Sequence, residues 1–113
     1  MKISSLFKRS ILAAGLVAAS LAQAQDIKLG FNGDLSASPS AQSGKAGVLG
    51  IQAAIDDINA AGGVLGRKLS LVIRDDQSQP PKSIQNMSDL VDNEKVVAVF
   101  GPTNSGKIGR AHV

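Results

Sequence analysis

The segment VVAVFGPTNSG, residues Val96 to Gly106, decides how the rest of the chain is interpreted. Its first five residues are apolar and include three valines, and Gly101 and Pro102 follow directly. A short apolar run that ends in glycine and proline is typical of a fully buried strand in a parallel sheet. We therefore expect a fully buried strand here, with a polar loop that begins at Thr103 beyond its carboxyl end.

The polar loop after this strand is the candidate binding site. Open α/β sheets bind their ligands beyond the carboxyl ends of their strands. The loop offers small hydroxyl and amide side chains, those of Thr103, Asn104 and Ser105. Together with backbone N–H groups and the N-terminus of a following helix, such side chains can hold an anion. Ser105 is also suited to cap that helix, a role that is compatible with a ligand contact.

Composition argues against several classes of function. The chain has 113 residues, enough for one small domain. Its formal charge of +3 comes from Lys2, Lys8 and Arg9, because the other nine basic residues balance the nine acidic ones. Without Trp or Tyr no basic patch interleaved with aromatics remains, so we expect no nucleic-acid partner. The chain has no cysteine and a single histidine, His112, so we expect no enzyme and no bound metal or cofactor.

The first 24 residues predict a secretory signal peptide. A basic start precedes the apolar run Ile11 to Ala22, which is short for a membrane span. The tripeptide Ala22-Gln23-Ala24 fits an A-x-A cleavage site. It favours cleavage, with Gln25 as the first mature residue, over an uncleaved membrane anchor. The expected location of the mature protein is the periplasm.

The mature part alternates predicted strands and helices. Strands are expected around residues 27–32, 69–73 and 96–100, and helices over 44–61 and from Pro80 to about Asn93. The polar residues 33–43 form a loop before the first helix. The order β-α-β-α-β predicts an α/β fold with a parallel sheet. Each helix has one apolar face that is expected to pack in the core: Val48, Ile51, Ile55 and Ile58 in the first, and Ile84, Met87, Leu90 and Val91 in the second.

These elements carry a resemblance to a known family. The mature sequence from Asp26 to Gly106 is similar to the start of the branched-chain amino acid type of ABC-transporter substrate-binding protein. The most specific pieces are INAAGGVLGRKL, the pair Asp75-Asp76 and VVAVFGPTNSG. No single piece is decisive, but their order and spacing together are specific to the family.

The resemblance implies two α/β lobes joined by a hinge, with the ligand clamped between them. Residues 25–107 then form a truncated first lobe of a parent protein, which captures an amino acid or a related amide or carboxylate for ABC-transporter permease subunits. In the family, the loop after the third strand holds the amino acid's carboxylate, a role that falls here on Ser105 with Asn104 and Thr103 nearby. The first loop of the family often contributes an aromatic residue just before a glycine, and here Ser43 precedes Gly44, so Ser43 is the fourth candidate ligand-binding residue.

The last residues of the chain allow other interpretations. Gly101 to Lys107 matches the G-x-x-x-x-G-K frame of a nucleotide-binding P-loop, but Ile108 stands where that motif needs a Mg²⁺-binding Ser or Thr. A P-loop protein is therefore the weaker alternative. The tail Ile108 to Val113, IGRAHV, resembles the translation of a common sequencing adapter, ATC GGA AGA GCA CAC GTC. We expect residues 108–113 to be non-native and the fragment to be inactive, the alternative being a genuine short C-terminus.

Overall fold

The computed structural model describes residues 25–104. Within that range the strands are β1 (Ile27–Gly33), β2 (Leu69–Asp75) and β3 (Ala98–Phe100), and the α-helices are α1 (Ala41–Ala60) and α2 (Pro80–Ser88). The predicted α/β class and the β-α-β-α-β order are confirmed. The predicted signal peptide, Ser105 and the expected non-native tail lie outside the described residues. No helix in the described range is long and apolar enough to cross a membrane.

The sheet is parallel, as predicted, and β1 lies at its centre in the order β2-β1-β3. Gly33 at the end of β1 pairs in register with Asp75 at the end of β2. On the other side, Phe31 pairs with Phe100 at the end of β3. Because the strands run in the same direction, their ends lie along one side of the sheet. We call this side, formed by Gly33, Asp75 and the residues after Phe100, the carboxyl edge.

Helix α1 begins three residues earlier than predicted. The N–H of Ala41 donates to the Ser38 carbonyl oxygen at 2.9 Å, and the N–H of Gly44 donates to that of Ser40 at 3.1 Å. These bonds start the helix within the polar segment. The prediction that Ser43 lies in the loop is therefore wrong, because Ser43 occupies the first turn of α1, where it is exposed.

The other helix boundaries agree with the sequence analysis. Helix α1 ends before Gly62 and Gly63, whose φ angles of +109° and +78° suit glycine. Helix α2 begins at Pro80, and the π-helical turn Asp89–Asn93 continues it to the predicted end. That turn is tied to β2 by Arg74, whose Nε donates to Asp89 Oδ2 at 2.9 Å.

The core lies between the sheet and the helices and is small. Leu90 is fully buried, and a Cβ placed on Gly30 of β1 would lie 3.3 Å from both of its methyl carbons. Phe31 and Ile55 are also buried. Three residues of the predicted apolar faces are between 39% and 49% exposed, namely Ile58, Ile84 and Val91. The prediction that they pack in the core is wrong for the described part of the chain, because a sheet of three strands does not extend beneath the whole of each apolar face.

Strand β3 is shorter and more exposed than the predicted buried strand. Its assigned residues are Ala98–Phe100, and Val97 and Phe100 are 69% and 44% exposed. Among the described strands its only neighbour is β1, so β3 lies at an edge of the sheet. The prediction of a fully buried strand is therefore wrong within residues 25–104.

Candidate functional site

The loop after β3, residues 101–104, lies directly against the end of β1. Gly101 has a φ of +113°, and a side chain there would overlap the backbone carbonyl oxygen of Asn32. A Cβ on Gly33 would lie 3.1 Å from Thr103 Oγ1. The two glycines therefore allow the β3 loop, as we call residues 101–104, to approach the carboxyl edge closely.

The structure describes three of the four predicted ligand-binding residues. Thr103 is exposed and Asn104 is half-buried, and both lie in the β3 loop at the carboxyl edge. Ser105 lies outside the described residues, so its contact with a ligand stays a prediction. Ser43 lies in α1 instead of in a loop, and its contact with a ligand also stays a prediction.

Asp34 is buried at the start of residues 34–40, which connect β1 to α1 and which we call the β1–α1 loop. Its Oδ1 accepts hydrogen bonds from the N–H groups of Ser36 and Ala37 at 3.1 and 2.9 Å. Its Oδ2 accepts from the hydroxyls of Ser38 and, at 3.2 Å, Ser40. The hydrogen bond from Ser38, followed by those from the loop N–H groups and Ser40, holds the pKa of Asp34 well below its usual range. Asp34 is therefore ionised at neutral pH.

Asp75, at the end of β2, holds the β1–α1 loop from the other side. Its Oδ2 accepts from the Ser36 hydroxyl at 2.6 Å, and its Oδ1 accepts from the N–H groups of Leu35 and Gln77 at 3.0 and 2.9 Å. Burial raises the pKa of Asp75, but these hydrogen bonds outweigh burial and lower it overall. Ser36 links the two carboxylates, because its N–H donates to Asp34 and its hydroxyl donates to Asp75.

Buried polar groups beneath the loops connect α2 to the strand ends. Asn32 Nδ2 donates to the carbonyl oxygen and the Oγ of Ser83 at 2.9 and 3.1 Å. Its Oδ1 accepts from Asn86 Nδ2 at 3.2 Å. The N–H of Asp76 donates to the Gly33 carbonyl oxygen at 3.0 Å. The carboxyl edge is therefore a hydrogen-bonded platform on which the loops are held.

Sequence reasoning missed Asp34 and Asn32, and it noted Asp75 only as part of a family pattern. A signal for Asp34 was present in the segment DLSASPS. Aspartate side chains commonly accept a hydrogen bond from the backbone N–H two residues later, which is the bond that Ser36 makes. No comparable local signal marks Asn32, because its partners lie more than fifty residues away.

The serine hydroxyls of the β1–α1 loop donate within the carboxyl edge. The hydroxyls of Ser36, Ser38 and Ser40 donate to the carboxylates of Asp34 and Asp75, which fixes the orientation of these serine side chains. Within residues 25–104, no group of three His, Cys, Asp or Glu side chains is placed to hold a metal ion. Thr103, by contrast, is exposed at the carboxyl edge.

Comparison with known proteins identifies the class. Residues 26–112 match the model of the family described as "Periplasmic binding protein", and the chain belongs to this family. The resemblance to branched-chain amino acid ABC-transporter substrate-binding proteins is confirmed. The match includes residues 108–112 of the tail that was expected to be non-native, and that expectation stays a prediction.

The relatives are binding proteins of greater length. An amino acid binding protein from Pseudomonas aeruginosa is 34% identical over 99 residues, which cover 85% of this chain and 26% of that protein. A Leu/Ile/Val-binding protein from Escherichia coli K12 is 36% identical over 97 residues, which cover 83% of this chain and 26% of that protein. The branched-chain amino acid transporter substrate binding protein LivJ from Streptococcus pneumoniae, solved in complex with isoleucine, has a TM-score of 0.72 and 39% identity over 77% of this chain and 25% of that one. The chain thus spans about a quarter of the length of the relatives it matches.

Proposed function

We propose that this chain is the first part of a longer periplasmic protein that captures an amino acid, or a related amide or carboxylate, for an ABC importer. The observation that carries this proposal is the β3 loop, whose Gly101 and Thr103 lie at the carboxyl edge against the end of β1, with Asn104 next in the chain. We call the longer protein the parent. In it, the ligand's carboxylate accepts hydrogen bonds from the Ser105 hydroxyl and from backbone N–H groups of the loop.

The ligand class is supported by the relatives. One is named for leucine, isoleucine and valine, and another was solved with isoleucine bound. A carboxylate is common to all amino acids, and a hydrogen bond to a charged group contributes about 1.5–3 kcal/mol. The β3 loop therefore accounts for recognition of the shared carboxylate, and residues of the parent beyond this chain select the side chain.

The proposed role is capture and delivery without a chemical step. Asp34 and Asp75 both accept hydrogen bonds from the β1–α1 loop, and we assign neither a role as a general acid or base. The predicted signal peptide supports export to the periplasm, where permease subunits of the importer receive the ligand. The P-loop alternative depends on Gly106 and Lys107, which lie outside the described residues, and we do not propose it.

Resequencing the source DNA with a different library method is the first experiment. If the tail is an adapter sequence, the codons for Ile108 to Val113 should be replaced by sequence that continues the family and encodes the second lobe. Recovery of the same six codons from independent genomic DNA would show that the tail is native. The recovered parent then provides the material for binding measurements.

Calorimetry on the purified parent tests the proposed function. Titration with amino acids, amides and urea should give saturable binding to one of them. A Ser105→Ala variant should bind that ligand about tenfold to a hundredfold more weakly. Ser88→Ala, at the exposed end of α2, is the matched control and should bind like the unsubstituted parent. Tight nucleotide binding with no response to any of the other ligands would overturn the proposal.

We propose further that residues 25–113 alone do not bind the ligand. Val97 and Phe100 are exposed in the described structure, and the unpaired side of β3 offers a strand edge for aggregation. Purified fragment should therefore aggregate or be degraded, and its calorimetric titration should show no ligand heat. A soluble monomer with a cooperative thermal transition and saturable binding would contradict this.

A further inference from the structure

We infer that Asp34 and Asp75 are positioning residues, which hold the β1–α1 loop in the conformation that the ligand requires. Ligand affinity then depends on two carboxylates that do not themselves contact the ligand. This inference rests on the proposed function, because it concerns the same carboxyl edge.

The two carboxylates determine the conformation of the β1–α1 loop. The N–H groups of Leu35, Ser36 and Ala37 all donate to Asp34 or Asp75. Much of the loop is exposed, and small side chains dominate it, so apolar packing contributes little to its order. A short segment with few packing contacts loses its fixed conformation when its hydrogen-bond acceptors are removed.

The β1–α1 loop lies beside the candidate site. It begins at the end of β1, where Gly33 is in close contact with Thr103 of the β3 loop. It ends at α1, where Gly44 approaches the Asp34 carbonyl oxygen so closely that a Cβ would overlap it. The β1–α1 loop therefore runs from the β3 loop contact to the N-terminus of α1 along one border of the site.

The carboxylates act on ligand binding through the loop. Asp34 is buried, and both of its oxygens accept hydrogen bonds from the loop. Asp75 likewise accepts from Leu35 and Ser36 through its two oxygens. A loop that is already ordered binds more tightly than one that the ligand has to order. Removal of either carboxylate should weaken binding by this route.

The experiment measures the ligand affinity and loop order of Asp34→Ala and Asp75→Ala variants of the parent. Calorimetry is carried out at a temperature at which circular dichroism shows each variant to be folded. Each variant should bind at least about tenfold more weakly than the parent. Amide hydrogen exchange at Ser36 and Ala37 should be faster in the ligand-free variants and slower again when ligand is bound.

The matched control is Asp56→Ala. Asp56 is exposed on α1 and accepts a hydrogen bond from Gln52 Nε2 at 2.9 Å, so the change removes a carboxylate and a hydrogen bond away from the loop. Its affinity and its exchange rates at Ser36 and Ala37 should match those of the parent. A purely structural role for Asp34 would lower the melting temperature while leaving the affinity of the folded variant unchanged, and that result would overturn the inference.

A milder variant keeps the test decisive if Asp34→Ala does not fold. Ser36→Ala removes only the exposed hydroxyl that donates to Asp75 at 2.6 Å, and it should still weaken binding and speed exchange at residue 36. Unchanged affinity in this variant would overturn the inference. If the unsubstituted parent binds no ligand, the proposed function fails, while the exchange measurement still decides whether the carboxylates fix the loop.

Discussion

Replacing Gly44 by alanine tests how α1 is seated on the carboxyl edge. Gly44 is buried in the first part of α1, and a Cβ there would overlap the backbone carbonyl oxygen of Asp34 and lie 3.2 Å from Leu35 Cδ2. Because the overlapping atom belongs to the backbone, no side-chain rotation relieves the clash. Either α1 or the β1–α1 loop has to move, and the hydrogen bonds of Asp34 are strained by the movement.

The expected change in the free energy of unfolding combines overpacking with helix propensity, and Gly50 in the same helix is the matched control. Overpacking costs about 1–3 kcal/mol, and a backbone clash belongs at the upper end of that range. Alanine also gains about 1 kcal/mol of helix propensity over glycine, which leaves a net loss of about 2 kcal/mol for Gly44→Ala. A Cβ on Gly50 meets nothing within 4 Å, so Gly50→Ala should gain stability by about 1 kcal/mol.

Urea unfolding of the two variants of the parent measures this difference. The midpoint should fall for Gly44→Ala and rise for Gly50→Ala, with the slope of the free energy against urea unchanged in both. Equal upward shifts would refute the reasoning, because they would mean that helix propensity alone governs both sites. The close approach of α1 to the Asp34 carbonyl would then be absent from the folded protein.

Three further outcomes follow from the packing and charges. Leu90→Ala should lower the free energy of unfolding by about 2–5 kcal/mol in urea titrations, since its side chain is fully buried; a loss below that range would mean that the core collapses around the site. Arg74→Ala removes ion pairs to Asp89 and Glu94 at 2.9 and 2.8 Å. The variant should lose a little stability at low salt and less in 1 M NaCl, and a loss that is independent of salt would contradict this. Because the pKa of Asp34 is lowered in the folded protein, its ionised form stabilises the fold above the unfolded pKa of about 3.9, and this contribution is lost as pH falls through the folded pKa. Asp34→Asn should therefore be less stable than the parent at pH 7 and should lose less stability than the parent in acid. Parallel plots of stability against pH for the two proteins would contradict this.

The sequence predicted the order and type of the elements because apolar periodicity reports which face of an element is covered. It failed for β3, whose apolar run predicted burial while Val97 and Phe100 are exposed. Burial of a strand depends on its neighbours in the sheet, and β3 has one among the described strands. The start of α1 was also misplaced, because small polar residues such as Ser43 suit both a loop and the first turn of a helix.

In the candidate site, too, what could be predicted depends on whether the residues that meet are adjacent in sequence. The β3 loop was predictable because its strand, its glycine and its polar residues are adjacent in sequence. The hydrogen bonds between the β1–α1 loop and Asp75 were not predictable, because Ser36 and Asp75 are 39 residues apart. They meet only through the register that pairs Gly33 with Asp75. Parallel pairing brings the carboxylate at the end of β2 to the loop that follows β1. A link between residues that distant carries no local sequence signal, whereas the turn that Asp34 makes with Ser36 and the polar β3 loop each lie within one short segment.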